Sequence, residues 1–313
     1  MNTPLVSLEN VSKHYKNLTA LSAVNLQLAQ GEVLGLFGHN GAGKTTMMKL
    51  ILGVISADAG QVQVMGVQPD SKSAWHMRAK MGYLPENVMF YEQLTGLEVL
   101  TYFARLKGQS KSHAKALLEQ VGIAHAMTQP VKTYSKGMRQ RLGLAQAFIG
   151  EPKLLLLDEP TVGLDPSATA EFYRSVDELK TQGTSVILCS HVLPGVEQHI
   201  DRAMIISGGK TLALGTIAEL RAQANLPIKI KPQGLNGALA SDVLLKPYLH
   251  DSESIHVPEL EKLRILRHLL ADNNLRDIAV ESANLEQVYQ YYLAKAETMK
   301  TDNASNNATQ AGA

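Results

Sequence analysis

The chain has little of several things, and each shortage narrows what it can do. It has one cysteine, Cys189, in 313 residues, so no disulfide can form within it and a reducing compartment fits. It has no apolar stretch of the roughly 18 residues that a membrane-spanning helix needs, so any membrane role is expected to pass through a partner. Its first residues, MNTPLVSLEN, lack a basic segment followed by an apolar one, and no signal peptide is expected. It carries almost no net charge, +1 from 30 basic and 29 acidic side chains. That removes the electrostatic ground for non-specific nucleic-acid binding, and no nucleic-acid partner is expected. It has no internal repeats. Its 10 histidines and 11 methionines are scattered. Met47 and Met48 fall on one predicted helix, and Met77, Met81 and Met89 keep no ligand spacing. They read as core filler and surface residues.

What is present is apolar and alternating. Hydrophobic residues make up 45% of the chain, enough for two domains with sizeable cores. Leu5 to Glu9 and Leu21 to Leu28 alternate apolar and polar residues, predicting antiparallel strands with one wet face. Val33 to Phe37, Leu154 to Leu157 and Ser185 to Cys189 are short continuous apolar runs, as expected of strands covered on both faces. Helices are predicted over Lys44 to Leu52, Glu92 to Lys107, Lys111 to Val121, Arg139 to Ile149 and Ser167 to Lys180, the first stopping at Gly53. Buried strands alternating with helices argue for a parallel sheet. The helices between about 88 and 150 interrupt that alternation and are expected to form a subdomain beside it. Beyond residue 215 the pattern changes to short strands at Ile228 to Lys231 and Ser254 to Val257, with helices at Glu259 to Ala271 and Asn284 to Ala296. Residues 216–299 therefore read as a small α+β accessory domain, and 300–313, polar and aperiodic, as a disordered tail.

Two motifs carry chemistry. Gly38-His39-Asn40-Gly41-Ala42-Gly43-Lys44-Thr45 matches G-x-x-x-x-G-K-[ST], followed by Thr46. Glycines let backbone N–H groups converge on phosphate oxygens, and the helix that follows points its positive end at the same anion. Lys44 would neutralise the β- and γ-phosphates and Thr45 would bind Mg²⁺. His39 is expected to contact nucleotide through its backbone only, its ring toward solvent. Four leucines, Leu154 to Leu157, then deliver Asp158 and Glu159 at the C-terminal end of a buried strand, where open α/β sheets bind ligands. Asp158 would hold Mg²⁺ through water, and Glu159 would orient or deprotonate an attacking water. Cys189 on its buried strand is most simply a small core residue.

Ser135-Lys136-Gly137-Met138, after Tyr134, resembles the signature motif of the ABC ATPases, usually written LSGGQ. Pro160 and Gly163-Leu164-Asp165-Pro166 resemble that family's D-loop region. His191 sits where its switch histidine does, and Tyr15 where an aromatic residue stacks on adenine. The resemblance implies a P-loop NTPase core of α/β class with an antiparallel β subdomain and a helical subdomain, together spanning residues 1–215. It also implies ATP and Mg²⁺ as ligands and a homodimer bound to an integral membrane permease. A serine at a helix start ordinarily caps its own helix. In the family this helix end instead faces the γ-phosphate held by the other subunit, so that Ser135, Lys136, Gly137 and Asp165 would complete the partner's site. Lys136 and Met138 depart from the common signature. Lys136 would be solvated or would add charge near the γ-phosphate, and solvation is the favoured reading. Glu86 stands where the family has the Q-loop glutamine; a carboxylate there can still approach Mg²⁺, and its place before the helical subdomain suits coupling.

Longer runs narrow the resemblance. They are Gly35 to Lys44, Tyr83 to Val88, Phe103 to Gly108, Val131 to Ala145 and Cys189 to Glu197, with Asn284 to Tyr292 near the end. Together they are similar to the NosF-type ATPases that serve copper-centre maturation of nitrous-oxide reductase. That likeness implies a NosY-like permease, a periplasmic NosD-like protein reached through it, and a place on the cytoplasmic face of the bacterial inner membrane. An ATPase of a drug, lipid or sodium exporter is the alternative. A soluble ABC protein without a permease is less consistent, since such chains carry two cassettes or a coiled-coil or zinc-bearing insertion. The accessory domain is open between a ligand sensor and a dimer-stabilising extension.

Overall fold

The computed structural model describes residues 3–310, apart from 192, 194, 236 and 237. It divides into two compact units, Met1–Leu214 and Gly215–Ala313.

In the first unit, β1 (Val6–Tyr15) and β2 (Leu18–Leu28) precede β3 (Val33–Phe37), α1 (Lys44–Leu52), β4 (Ala59–Val64), α2 (Trp75–Ala79) and β5 (Met81–Leu84). Then come α3 (Gly96–Leu106), α4 (Lys111–Gln120), α5 (Lys136–Phe148), β6 (Leu154–Asp158), α6 (Pro166–Thr181), β7 (Ser185–Cys189), β8 (Arg202–Ser207) and β9 (Lys210–Gly215). β1 pairs antiparallel with both β2 and β4. A six-stranded sheet has the order β5-β6-β7-β3-β8-β9, with the pairs from β5 through β8 parallel. β3, β6 and β7 are buried at every residue, which is why they read as unbroken apolar runs. One face of this sheet and the inner face of the antiparallel sheet bury a shared core that includes Val6, Leu26, Leu36, Met47, Met48, Leu156 and Cys189. Met48 packs there and the Cys189 thiol lies 3.9 Å from its sulfur.

Several boundaries moved for local reasons. β1 runs on past Glu9 to Tyr15 because register shifts, one between Leu8 and Val11, break the alternation that marks a strand. The helix expected from Glu92 begins at Gly96. Thr95 caps it, its hydroxyl accepting from Glu98 N–H while the Glu98 carboxylate accepts from Thr95 N–H. The signature helix starts at Lys136, three residues before Arg139, with Ser135 as its cap. Among the described residues α3, α4 and α5 pack on one another.

The second unit holds α7 (Ile217–Ala224), β10 (Ile228–Gln233), α8 (Ala238–Ser241), β11 (Ile255–Val257), α9 (Lys262–Leu270), β12 (Asp277–Glu281) and α10 (Leu285–Gln310). Its antiparallel sheet, order β11-β10-β12, covers a separate core of Ile228, Ile230, Ile255, Val257, Ile265 and Leu269. The backbone is helical from Leu285 to Gln310, into the segment from 300 that was expected as a disordered tail. No proline or glycine follows Asn284 until Gly312, so nothing in the backbone chemistry stops the helix. Residues 311–313 lie outside the described residues.

Candidate functional site

The site grows from the carboxyl ends of β3, β6 and β7. The loop 38–43 leaves β3 and turns into α1 at Gly43, whose φ of 114° belongs to a region that β-carbon-bearing residues rarely enter. α3, α4, α5, α6 and α7 are each capped by a Thr, Ser or Asp side chain. α1 has no side-chain cap and no acidic residue in its first turn. An uncapped N-terminus keeps its N–H groups and the positive end of the helix dipole available for an anion. The buried Lys44 is held inside this loop, its ammonium donating to the carbonyls of Gly38 at 2.5 Å and His39 at 3.3 Å. The His39 ring does not simply point outward: Nδ1 lies 2.7 Å from the Asn40 carbonyl and Nε2 3.3 Å from the Ser207 hydroxyl.

β6 pairs with β7 so that Asp158 lies opposite Cys189, and the Glu159 N–H donates to the Cys189 carbonyl at 3.0 Å. The Thr45 hydroxyl donates to Asp158 Oδ2 at 3.2 Å. Burial pushes the Asp158 carboxyl up; the Thr45 hydrogen bond pulls it back, the Glu159 and Glu86 charges push it up further, and Lys44 again opposes them. A hydroxyl and a carboxylate side by side among surplus negative charge are hard oxygen donors that fit Mg²⁺, which keeps several of its waters. Glu86 itself is exposed, on the loop after β5, and reaches Asp158 through its charge. Tyr83, on the same strand as that loop, has its phenol pushed up to about 12 by burial and by the Asp158 and Cys189 charges.

Glu159 is buried and holds a φ of 52°, a strained backbone of the kind found where a side chain must be aimed. Its Oε2 accepts from His191 N–H at 3.2 Å and lies 2.7 Å from His191 Nδ1. The His191 ring is 59% exposed, and both contacts of this residue go to one oxygen, Oε2, of the buried carboxylate. Sequence reasoning missed Gln140. This buried residue of α5 donates to the carbonyls of Pro160 at 3.1 Å and Glu159 at 3.5 Å, bracing the turn that aims Glu159. Its one signal is a polar residue on the apolar side of a helix.

Lys44, Thr45, Asp158, Glu159 and His191 thus converge. Ser135, Asp165, Lys136 and Tyr15 make other contacts. Ser135 caps α5, its hydroxyl accepting from Met138 N–H at 3.2 Å. Asp165 caps α6, accepting from Ala168 N–H at 2.9 Å. The stem of Lys136 lies against Gly163, so signature and D-loop are neighbours. Tyr15 is 42% exposed at the end of β1, with Lys13 Nζ 5.7 Å from its ring centre. Among the described residues no hydrogen bond or ion pair joins Ser135, Lys136, Gly137 or Asp165 to Lys44 or Thr45. In the run Cys189 to Glu197, Val192 and Pro194 lie outside the described residues. No described group of three or more His, Cys, Asp or Glu is arranged to hold a metal ion by itself. No helix is long and apolar enough to cross a membrane, among the described residues.

The comparisons agree with this geometry. The ABC transporter family model matches residues 21–162. Linearmycin resistance ATP-binding protein LnrL of Bacillus subtilis (strain 168) is 30% identical, across 91% of this chain and 97% of LnrL. Daunorubicin resistance ATP-binding protein DrrA3 of Streptomyces coeruleorubidus is 32% identical, across 91% and 94%. A solved structure described as the ATP binding subunit of an ABC transporter superposes with a TM-score of 0.66 at 30% identity, covering 70% of this chain and 92% of that one. With a phosphate loop ahead of an uncapped helix, a carboxylate pair at a buried strand end and relatives matched over nearly their whole length, the chain belongs to the ATP-binding proteins of the ABC transporters and is an ATPase of that family.

Proposed function

We propose that two copies of this chain close on two ATP molecules and so drive an integral membrane permease. The observation that carries this reading is the division of the site. One group (Lys44, Thr45, Asp158, Glu159 and His191) converges, while the start of α5 at Ser135 and Gly137, with Asp165 nearby, has no hydrogen bond or ion pair to Lys44 or Thr45 among the described residues. A second copy, turned by a two-fold axis, supplies the missing half to each site. Lys44 and the start of α1 then neutralise the phosphates, and Tyr15 stacks on the adenine. Thr45 and Asp158, with the Glu86 charge acting on Asp158, would hold Mg²⁺, which would screen the charge of the phosphates. Glu159 aims the attacking water and takes its proton, His191 holding the carboxylate in place. Closure favoured by ATP and opening favoured by its products make a two-state motor. Met89 and Tyr91, 90% and 77% exposed, follow Glu86 and offer an apolar footing for the permease.

The finer reading is a NosF-type motor with a NosY-like permease and, through it, a periplasmic NosD-like protein, at the cytoplasmic face of the inner membrane. It rests on the six sequence runs named above. An exporter of antibiotic-like molecules is the second reading, favoured by the names of LnrL and DrrA3. Deleting the coding sequence separates them. Nitrous-oxide accumulation with copper-poor reductase supports the first; lowered antibiotic tolerance with normal reductase supports the second. Wild-type behaviour in both assays overturns both.

A further inference from the structure

The His191 ring is more than half exposed, so its hold on Glu159 depends on the backbone that carries it. Among the described residues between β7 and β8, Leu193 and Val196 are buried, and the His199 N–H closes a turn onto the Val196 carbonyl at 3.0 Å. The His199 ring then leaves the segment and reaches α6. It stacks on Tyr173 with ring centres 4.4 Å apart and planes 4° from parallel. Its Nδ1 lies 2.9 Å from Asp177 Oδ2, and since an ionised carboxylate only accepts, Nδ1 carries the proton. Two positions on, Lys180 of α6 meets Asp201 at 2.6 Å in a second, comparably exposed pair.

α6 is the helix that begins at Asp165. It is also tied to the signature helix, Arg141 of α5 meeting Glu171 at 3.6 Å. Tyr173, buried on α6, has its phenol pushed up to about 12, by burial first and then by the charge of Glu159. One helix therefore carries Asp165 as its N-terminal cap and clasps, through His199, the segment that follows His191.

We infer that His199 is a positioning residue: by stacking on Tyr173 and bonding Asp177 it fastens the His191 segment to α6, so that a shift of Asp165 is passed to the His191–Glu159 pair. The clasp touches no substrate and changes no proton inventory. It narrows the set of positions His191 can take, and small misplacements at a reacting centre cost rate rather than affinity. The inference rests on the roles proposed for Glu159 and His191.

The test uses the full chain with ATP and Mg²⁺. His199→Ala removes stack and bond together, and Asp177→Ala removes the bond from the partly exposed side, serving also if the first variant folds poorly. We expect kcat to fall about tenfold with KM for ATP within about twofold in each. Amides over 190–200 should exchange hydrogen about tenfold faster, with exchange in β3 unchanged. His199→Asn, which keeps an N–H toward Asp177, should recover most of the rate. Unchanged kcat, unchanged exchange, either change without the other, or a rise in KM that accounts for the loss overturns the inference. Glu159→Gln is run beside them: if it turns over normally the site reading itself fails, whereas an inactive Glu159→Gln with wild-type His199 and Asp177 variants sinks the clasp alone.

Discussion

Replacing Glu159 by Gln changes one atom's chemistry in a site that the structure shows to be closely held. The residue is 5% exposed and its φ of 52° is set by the backbone, so an isosteric residue inherits the same place. The amide oxygen can still accept from His191 N–H, a bond now at 3.2 Å. The 2.7 Å contact with His191 Nδ1 weakens from a charge-assisted bond to a neutral one, a loss of about 1 kcal/mol. For a unit of this size that lowers Tm by about 2–4 °C, so the variant folds. What the amide cannot do is take a proton from water. General-base catalysis contributes about 10²–10⁴-fold, or roughly 3–5 kcal/mol of barrier. Phosphate release should therefore fall by that factor while ATP binding persists, and gel filtration with ATP should find the dimer retained. Turnover within about tenfold of the parent, in a variant that binds ATP and melts normally, would remove Glu159 from the base role.

Other outcomes follow from the same geometry. Lys44→Ala removes the ammonium held among the Gly38 and His39 carbonyls and should weaken ATP binding by about a hundredfold or more; equilibrium binding with labelled nucleotide checks it. Ser135→Arg loses the α5 cap, worth about 1 kcal/mol, yet should bind ATP like the parent while failing to dimerise on gel filtration. Asp158→Asn should abolish hydrolysis and raise the Tm of the nucleotide-free chain. Its carboxyl is held above the ordinary value, by burial first. The penalty for ionising it in the fold is thus absent in acid and sets in as pH rises through the carboxylate range. The gain in Tm should be present around pH 7 and fade toward about pH 4.

The chemistry-bearing segments were legible because each is short and contiguous. Gly43 needs a backbone that glycine supplies, Leu154 to Leu157 must be apolar to sit inside a parallel sheet, and Asp158 and Glu159 fall at its end by covalent succession alone. Strand β1 was read only to Glu9, since bulges hide the alternation that reveals a half-buried strand. β8 and β9 went unread, as did the order β5-β6-β7-β3-β8-β9: a pairing partner leaves no mark on the strand it pairs with. Residue types and their spacing already name which side chains can bind phosphate, ligate a hard cation and take a proton. Which of them meet depends on how the folded chain packs. Thr45 and Asp158 are 113 residues apart in the chain and 3.2 Å apart in space, and Gln140 braces the Glu159 turn from another helix. His199 reaches Asp177 across a loop and a strand. Such contacts arise from burying apolar faces against each other, a non-directional force that acts between distant segments and so is written in no local pattern.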